Sequence, residues 1–247
     1  IDPSLDCVSL TEALCNIESV SLNEAEICAG IEAVLRAQSH LRVTRIGNSL
    51  VARTELGRPE RVVIAGHIDT VPLNNNLPVT NDGEFLHGLG TCDMKSGVAV
   101  ALKLATSVPS PNRDLTFVFY EAEEIDAKFN GLNHIVAQRP DLIEADFAIL
   151  MEPSNGRVEA GCQGTLRIEV ITRGERAHSA RSWMGHNAIH DAGEVLRRLQ
   201  QYVARQPVVD GLTYHEGLNA VLISGGVATN VIPDECRVTV NYRYAPD

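Results

Sequence analysis

The chain has 247 residues, of which 44% are hydrophobic, and a formal net charge of −11. That is enough apolar material for one large or two smaller domains, and the acidic balance argues against a nucleic-acid partner or an anionic membrane surface. No apolar run is long enough to span a bilayer; Lys103 interrupts the one that follows Gly97.

The opening residues, Ile1 to Asp6, lack the basic and apolar regions of a signal peptide. They also lack an initiator Met, so the natural start is expected upstream. Ser21-Leu-Asn-Glu24 has the pattern of a capping box opening a helix that runs to about residue 39. Two strands are expected around 41–46 and 49–53. A compact apolar run over 61–66 reads as a buried parallel strand, and 72–83 is rich in turn residues. A helix is expected over 96–107, a strand over 115–120, a short helix over 130–139 and a third apolar strand over 145–151. This alternation points to an α/β sheet. The pattern changes near Gly164. Residues 165–172 alternate apolar and polar as a strand with one exposed face does. Residues 187–204 form an amphipathic helix, with apolar side chains at 188, 189, 192, 195, 196 and 199. Strands follow around 219–223 and 235–244. We therefore expect a first domain over 1–163 and a smaller α+β domain over 164–247. Residues 1–163 hold 12 Lys and Arg against 23 Asp and Glu, whereas 164–247 hold 9 of each, so the whole negative excess lies in the first part. The six cysteines, at 7, 15, 28, 92, 162 and 236, include no Cys-x-x-Cys pair. They read as reduced thiols of a cytoplasmic protein without a thiolate zinc site.

Three motifs bearing acids or a histidine directly follow the three apolar strands: His67-Ile-Asp69, Glu121-Ala-Glu123-Glu124 and Glu152-Pro153. Open α/β sheets build their sites at those strand ends. A fourth motif, Gly88-Leu-Gly-Thr-Cys-Asp93-Met-Lys-Ser-Gly97, stands between strand and helix. It is not a dinucleotide fingerprint, because Asp93 occupies the place of the third Gly. Each motif alone has an ordinary explanation. His-x-Asp is commonly a strand-end hydrogen bond, Glu-Glu a favourable helix N-terminus, and Asp93 a helix cap. Taken together they bring five carboxylates (Asp69, Asp93, Glu123, Glu124 and Glu152) and one imidazole to one sheet edge. Such a cluster repels itself unless cations neutralise it. Imidazole and carboxylate donors without thiolate suit zinc, with manganese or cobalt as alternatives.

In this order, His67-x-Asp69, Gly-x-Gly-x-x-Asp93-x-Lys-x-Gly, Glu123-Glu124 and Glu152-Pro resemble the two-zinc aminoacylase and carboxypeptidase family. The closest likeness is to its succinyl-diaminopimelate desuccinylase branch, above all the actinobacterial type. Tyr120 to Asp126, Glu159 to Gly164, Arg176 to Trp183 and Gly226 to Pro233 carry that closer match. The resemblance implies a zinc-exopeptidase-like catalytic domain, with a mixed, mainly parallel sheet flanked by helices, plus an α+β dimerisation or lid domain. It implies that His67 and Glu152 bind one zinc, Glu124 the other, and that Asp93 bridges the two. It makes Asp69 the partner that orients His67, Glu123 the general base, and His178 and Asn230 the stabilisers of the oxyanion. Arg243 and Arg181 would hold carboxylates of a small anionic N-acyl amino-acid substrate. The other histidines, His40, His87, His134, His186, His190 and His215, receive no role. The implied activity is hydrolysis of N-succinyl-LL-2,6-diaminopimelate by a homodimer that pairs through residues 164–247. A sister reading is acetylornithine deacetylase, and a reading from another class is a metal-free binding protein. The family's last zinc-ligand His lies near the end of a longer chain, so the 247 residues are expected to be a fragment that is inactive alone.

Overall fold

Alternating side chains on short β-rich runs need a layer on each face of the sheet they form. A computed structural model describes residues 1–247, in two units, Ile1–Arg157 and Val158–Asp247. In the first, helices α1 (Cys7–Cys15) and α2 (Ala25–Arg36) precede strands β1 (Arg42–Ile46), β2 (Ser49–Arg53) and β3 (Arg61–His67). Helix α3 (Lys95–Ser107), strand β4 (Asp114–Tyr120), helix α4 (Gly131–Gln138) and strand β5 (Phe147–Leu150) follow. The strand order is β1-β2-β4-β3-β5. β3 runs parallel to β4 from Arg61↔Asp114 to His67↔Tyr120, and parallel to β5 from Val62↔Phe147 to Ala65↔Leu150. β1 and β2 complete the mixed sheet with antiparallel pairings. The carboxyl ends of β3, β4 and β5 thus lie side by side.

Both faces of this sheet are packed. On one, Phe117 and Phe119 meet Leu10 and Leu14 of α1, Ile27, Ile31 and Leu35 of α2, and Val98 and Leu102 of α3. On the other, Val118 and Tyr120 meet Val63, Ala65, Ile135 and Leu142. Each large apolar side chain so buried contributes about 1.5–3 kcal/mol before entropy is counted.

Two expectations change. Ser21 does not cap α2: the N-cap position is Glu24, and no side chain caps that end. β5 reads as an apolar strand, yet all four of its residues are exposed, Phe147 by 63%. β5 is the sheet's edge, with β3 as its only neighbour, and periodicity carries no information about edge position.

The second unit, taken by itself, holds β6 (Gly164–Arg173), α5 (Ala188–Gln200), β7 (Gly217–Gly225) and β8 (Glu235–Tyr244). Its antiparallel sheet has the order β7-β8-β6. Ala188, Ala192 and Leu199 of α5 pack on Cys236, Val238 and Val240 of the central strand. Asn187 starts α5 by accepting the N–H groups of Ile189 and His190, as Asn130 starts α4. The expected one-sided burial of β6 is only partial: Val170 packs against the cluster, while Leu166 and Ile168 are exposed.

Asp114, at the start of β4, is a buried anchor. Its carboxylate accepts from Thr54 Oγ1 (2.7 Å), Leu56 N (2.9 Å) and Arg58 N (2.8 Å), and Arg61 lies 3.8 Å away. Burial alone would raise its pKa, but these donors and the Arg61 charge hold it at about 2. Because the folded value is depressed, the stability it gives is complete above the ordinary value of 3.8 and lost as pH falls toward 2. Asp114→Ala should destabilise the chain by about 3 kcal/mol at neutral pH, and urea unfolding should show the gap to the unsubstituted protein narrowing below pH 4. A gap that is the same at pH 3 and pH 7 would contradict this.

Candidate metal centre

His67 ends β3 and is buried. Its backbone N–H points at the Met94 thioether, 3.2 Å away. Its Nδ1 faces Asp69, 3.1 Å from the backbone oxygen and 3.3 Å from Oδ1. A proton on Nδ1 therefore has a partner, and Nε2 faces the other side. Nε2 lies 3.1 Å from Asp93 Oδ1 and 3.9 Å from Glu152 Oε1. One donor atom each from His67, Asp93 and Glu152 lies within 4.8 Å of the others. The helix-cap explanation for Asp93 does not hold: the N-cap of α3 is Met94, and no side chain caps that helix. The Glu-Glu explanation fails too, because α4 begins only at Gly131. Gly97 explains how α3 comes close: a Cβ there would collide with the backbone oxygen of Met151, the residue before Glu152. Lys95, also buried, donates from Nζ to Leu14 O (3.2 Å) and Ile17 O (2.8 Å), pinning the Asp93 turn to the end of α1. Burial lowers its pKa to about 8.

The loop Glu121–Glu124 is irregular, yet a side chain accepts each of its four backbone N–H groups. Glu121 N donates to Ser49 Oγ (3.2 Å), Ala122 N to Glu24 Oε1 (3.2 Å), Glu123 N to Asp69 Oδ1 (3.0 Å) and Glu124 N to Asp69 Oδ2 (3.2 Å). Ser21 Oγ adds a fifth bond to this network, to Asp69 Oδ2 at 2.7 Å. Glu123 is exposed and Glu124 half-buried; Glu124 stands outside the group of three formed by His67, Asp93 and Glu152. Sequence reading missed Ser21, Glu24, Ser49 and Lys95. Lys95 stands inside a motif that pointed to it, Ser21 and Glu24 match a pattern with another meaning, and Ser49 carries no signal at all.

The electrostatics divide the carboxylates. Burial would raise Asp69, but His67, the two loop N–H groups and Ser21 lower its pKa. Glu152 is raised by burial and by the charges of Asp93, Glu123 and Glu124, which outweigh the opposing pull of His67. Glu124 is raised by burial and then by Asp93. Burial pulls His67 down, but Asp69, Glu152 and Asp93 together lift it to about 9. A proton on His67 thus partly fills the role a cation would take. Imidazole and carboxylates in reach of one point, with no thiolate, are a donor set that fits a divalent metal such as zinc.

The remaining predicted residues lie in the second unit. His178 pairs with Val231 in a two-residue ribbon, and its Nδ1 accepts from Ala180 N at 3.1 Å. Ser179 N donates to Asn230 O at 2.9 Å, so His178 and Asn230 are neighbours. Arg181 and Arg243 are both exposed, Arg181 at an irregular point of the 3-10 turn after His178 and Arg243 near the end of β8.

Comparison with known proteins places the chain in a family. The model of peptidase family M20/M25/M40 matches residues 63–243. A Mycobacterium tuberculosis protein assigned provisionally as a succinyl-diaminopimelate desuccinylase is 55% identical over 98% of this chain and 69% of its own length. The succinyl-diaminopimelate desuccinylase of Corynebacterium glutamicum is 46% identical over 98% of this chain and 67% of its own. Among solved structures, a Staphylococcus aureus tripeptidase superposes with a TM-score of 0.73 at 21% identity, covering 99% of this chain and 67% of that one. A Sulfolobus solfataricus M20 family metallo-carboxypeptidase gives 0.70 at 14% identity, covering 98% and 72%. These likenesses show the fold. With the family model matching most of the chain and a relative at 55% identity, the chain belongs to peptidase family M20/M25/M40.

Proposed function

We propose that this chain carries a metal-dependent amide hydrolase that cleaves N-succinyl-LL-2,6-diaminopimelate to succinate and LL-2,6-diaminopimelate, a step of lysine biosynthesis, in the cytoplasm. The observation that carries the reading is the 55% and 46% identity to the two desuccinylases over 98% of the chain. In this reading His67 and Glu152 would hold one zinc and Glu124 the other, with Asp93 contributing to both, and cobalt or manganese could substitute. When bound, the metals supply Lewis acidity toward the amide carbonyl and toward water. Asp69 keeps the His67 proton on Nδ1. Glu123 takes a proton from the attacking water and passes it to the leaving amine nitrogen. Its exposed carboxylate, on a backbone fixed by Asp69, suits that shuttle. His178 and Asn230 donate to the developing oxyanion, and Arg181 and Arg243 pair with substrate carboxylates. The full-length protein should turn over the succinyl substrate far better than N-acetylornithine. Glu123→Gln should lower kcat by roughly 10²- to 10⁴-fold with metal content unchanged by elemental analysis. Loss of metal in that variant would contradict its role as base, and a preference for acetylornithine would move the substrate to the sister activity.

Asp69 separates orientation from ligation. Asn offers one acceptor and one donor where Asp69 presents two acceptor oxygens, so it cannot serve His67 and both loop N–H groups. Asp69→Asn should weaken zinc binding by about 10- to 100-fold without changing the stoichiometry, as read by competition with a chelator. Unchanged affinity would remove Asp69 from its orienting role.

We also propose a homodimer formed through residues 164–247, with His178 completing the partner subunit's site. The exposed apolar side chains Leu166 and Ile168 of β6 and Val221 and Leu222 of β7 suit such pairing. Mixing the inactive full-length variants His178→Ala and Glu123→Ala, with exchange verified by mass-tagged subunits, should restore activity approaching one working site per mixed dimer. No recovery after proven exchange would rule out action in trans.

A further inference from the structure

The turn ahead of α2 lies against the site, although none of the metal-binding motifs includes it. Val20 bridges Thr70, and Ser21 N donates to Thr70 O at 3.1 Å, so residues 19–21 run beside the segment that follows His67. At the end of this turn Glu24 is completely buried. Its Oε1 accepts from Leu22 N (2.8 Å) and Ala122 N (3.2 Å), while its Oε2 has no hydrogen-bond partner. A buried carboxyl with an orphaned oxygen is costly and calls for an explanation. Capping is not the explanation, because the side chain makes no capping bond to α2.

Ala122 offers one. Its φ is +55°, a left-handed backbone that is unfavourable for a residue with a Cβ by about 1–2 kcal/mol. It immediately precedes Glu123 and Glu124. The neighbouring N–H groups are accepted by Ser49 and Asp69, and Glu24 is the group that accepts the Ala122 N–H. Without that acceptor, a buried N–H is left unpaired in a conformation its own residue disfavours. We propose that Glu24 is a positioning residue of the reaction: by accepting the Ala122 N–H it holds the left-handed turn that sets the backbone of Glu123 and Glu124. The catalytic part of this inference rests on the roles given to Glu123 and Glu124 above. Because only Oε1 is used, a neutral amide oxygen at the same place suffices.

The test compares Glu24→Gln, which keeps the acceptor, with Glu24→Met, which keeps the length and removes it, in the full-length protein. The Ala122 amide of the unsubstituted chain should exchange slowly in hydrogen-exchange NMR although it has no backbone partner. The Gln variant should keep that protection and a kcat within about twofold of the unsubstituted enzyme. The Met variant should lose the protection, and its kcat should fall by roughly 10- to 100-fold at nearly unchanged KM, the scale of loss expected when a catalytic group shifts by about 1 Å. A rapidly exchanging Ala122 amide in the unsubstituted chain overturns the proposal without any variant. A Met variant with full kcat or undiminished Ala122 protection overturns it as well, as does equal damage from Gln and Met. If the unsubstituted enzyme hydrolyses no N-acyl amino acid, the functional reading fails. The exchange comparison then decides by itself whether Glu24 holds the turn.

Discussion

The site depends on the hydrogen bonds of one buried carboxylate. Asp69 has two oxygens with about four acceptor positions, and four donors surround them. His67 Nδ1 (3.3 Å) and Glu123 N (3.0 Å) approach Oδ1, and Ser21 Oγ (2.7 Å) and Glu124 N (3.2 Å) approach Oδ2. A buried charge is tolerable only when so satisfied. Here the satisfaction also does structural work, because the donors come from the β3 end, the turn before α2 and the loop after β4. The imidazole that faces Asp93 and Glu152, and the backbone that carries Glu123 and Glu124, are therefore oriented by the same group. Moving Asp69 would disturb a donor nitrogen and a loop together.

Much of this was legible in the sequence because strand ends and chemically scarce residues coincide there. His67, Glu123–Glu124 and Glu152 follow apolar runs, and the structure aligns β3, β4 and β5 in parallel, which puts those motifs at one edge. What stayed hidden is tertiary. Ser-x-x-Glu is a helix-start pattern because both side chains can satisfy orphan N–H groups nearby. In this fold the same side chains turn to Asp69 and to the Ala122 N–H, and local spacing cannot say which donor wins. The exposure of β5 escaped for a related reason, since its composition matches that of the buried strands and only its edge place in the order differs. Ser49 left no trace, because a lone Ser on a strand is unremarkable until the loop across from it is known.

The carboxylates themselves record two designs. Asp69 is surrounded by donors, and its pKa falls; it is built to remain charged whether or not a metal is present. Glu152 and Glu124 are partly withdrawn from water beside other carboxylates, and their pKa values rise; positive charge nearby favours their charged forms. His67 stands between the two sets and is lifted by both. The excess of 23 acidic over 12 basic residues in positions 1–163 is thus more than a solvated surface. Part of it is an arrangement in which one carboxylate surrounded by donors fixes geometry, beside carboxylates crowded together around His67. His67, Asp93 and Glu152 would hold a divalent ion between them, and its charge would offset the mutual repulsion of Asp93 and Glu152, so the acidic cluster and the metal affinity have one physical origin.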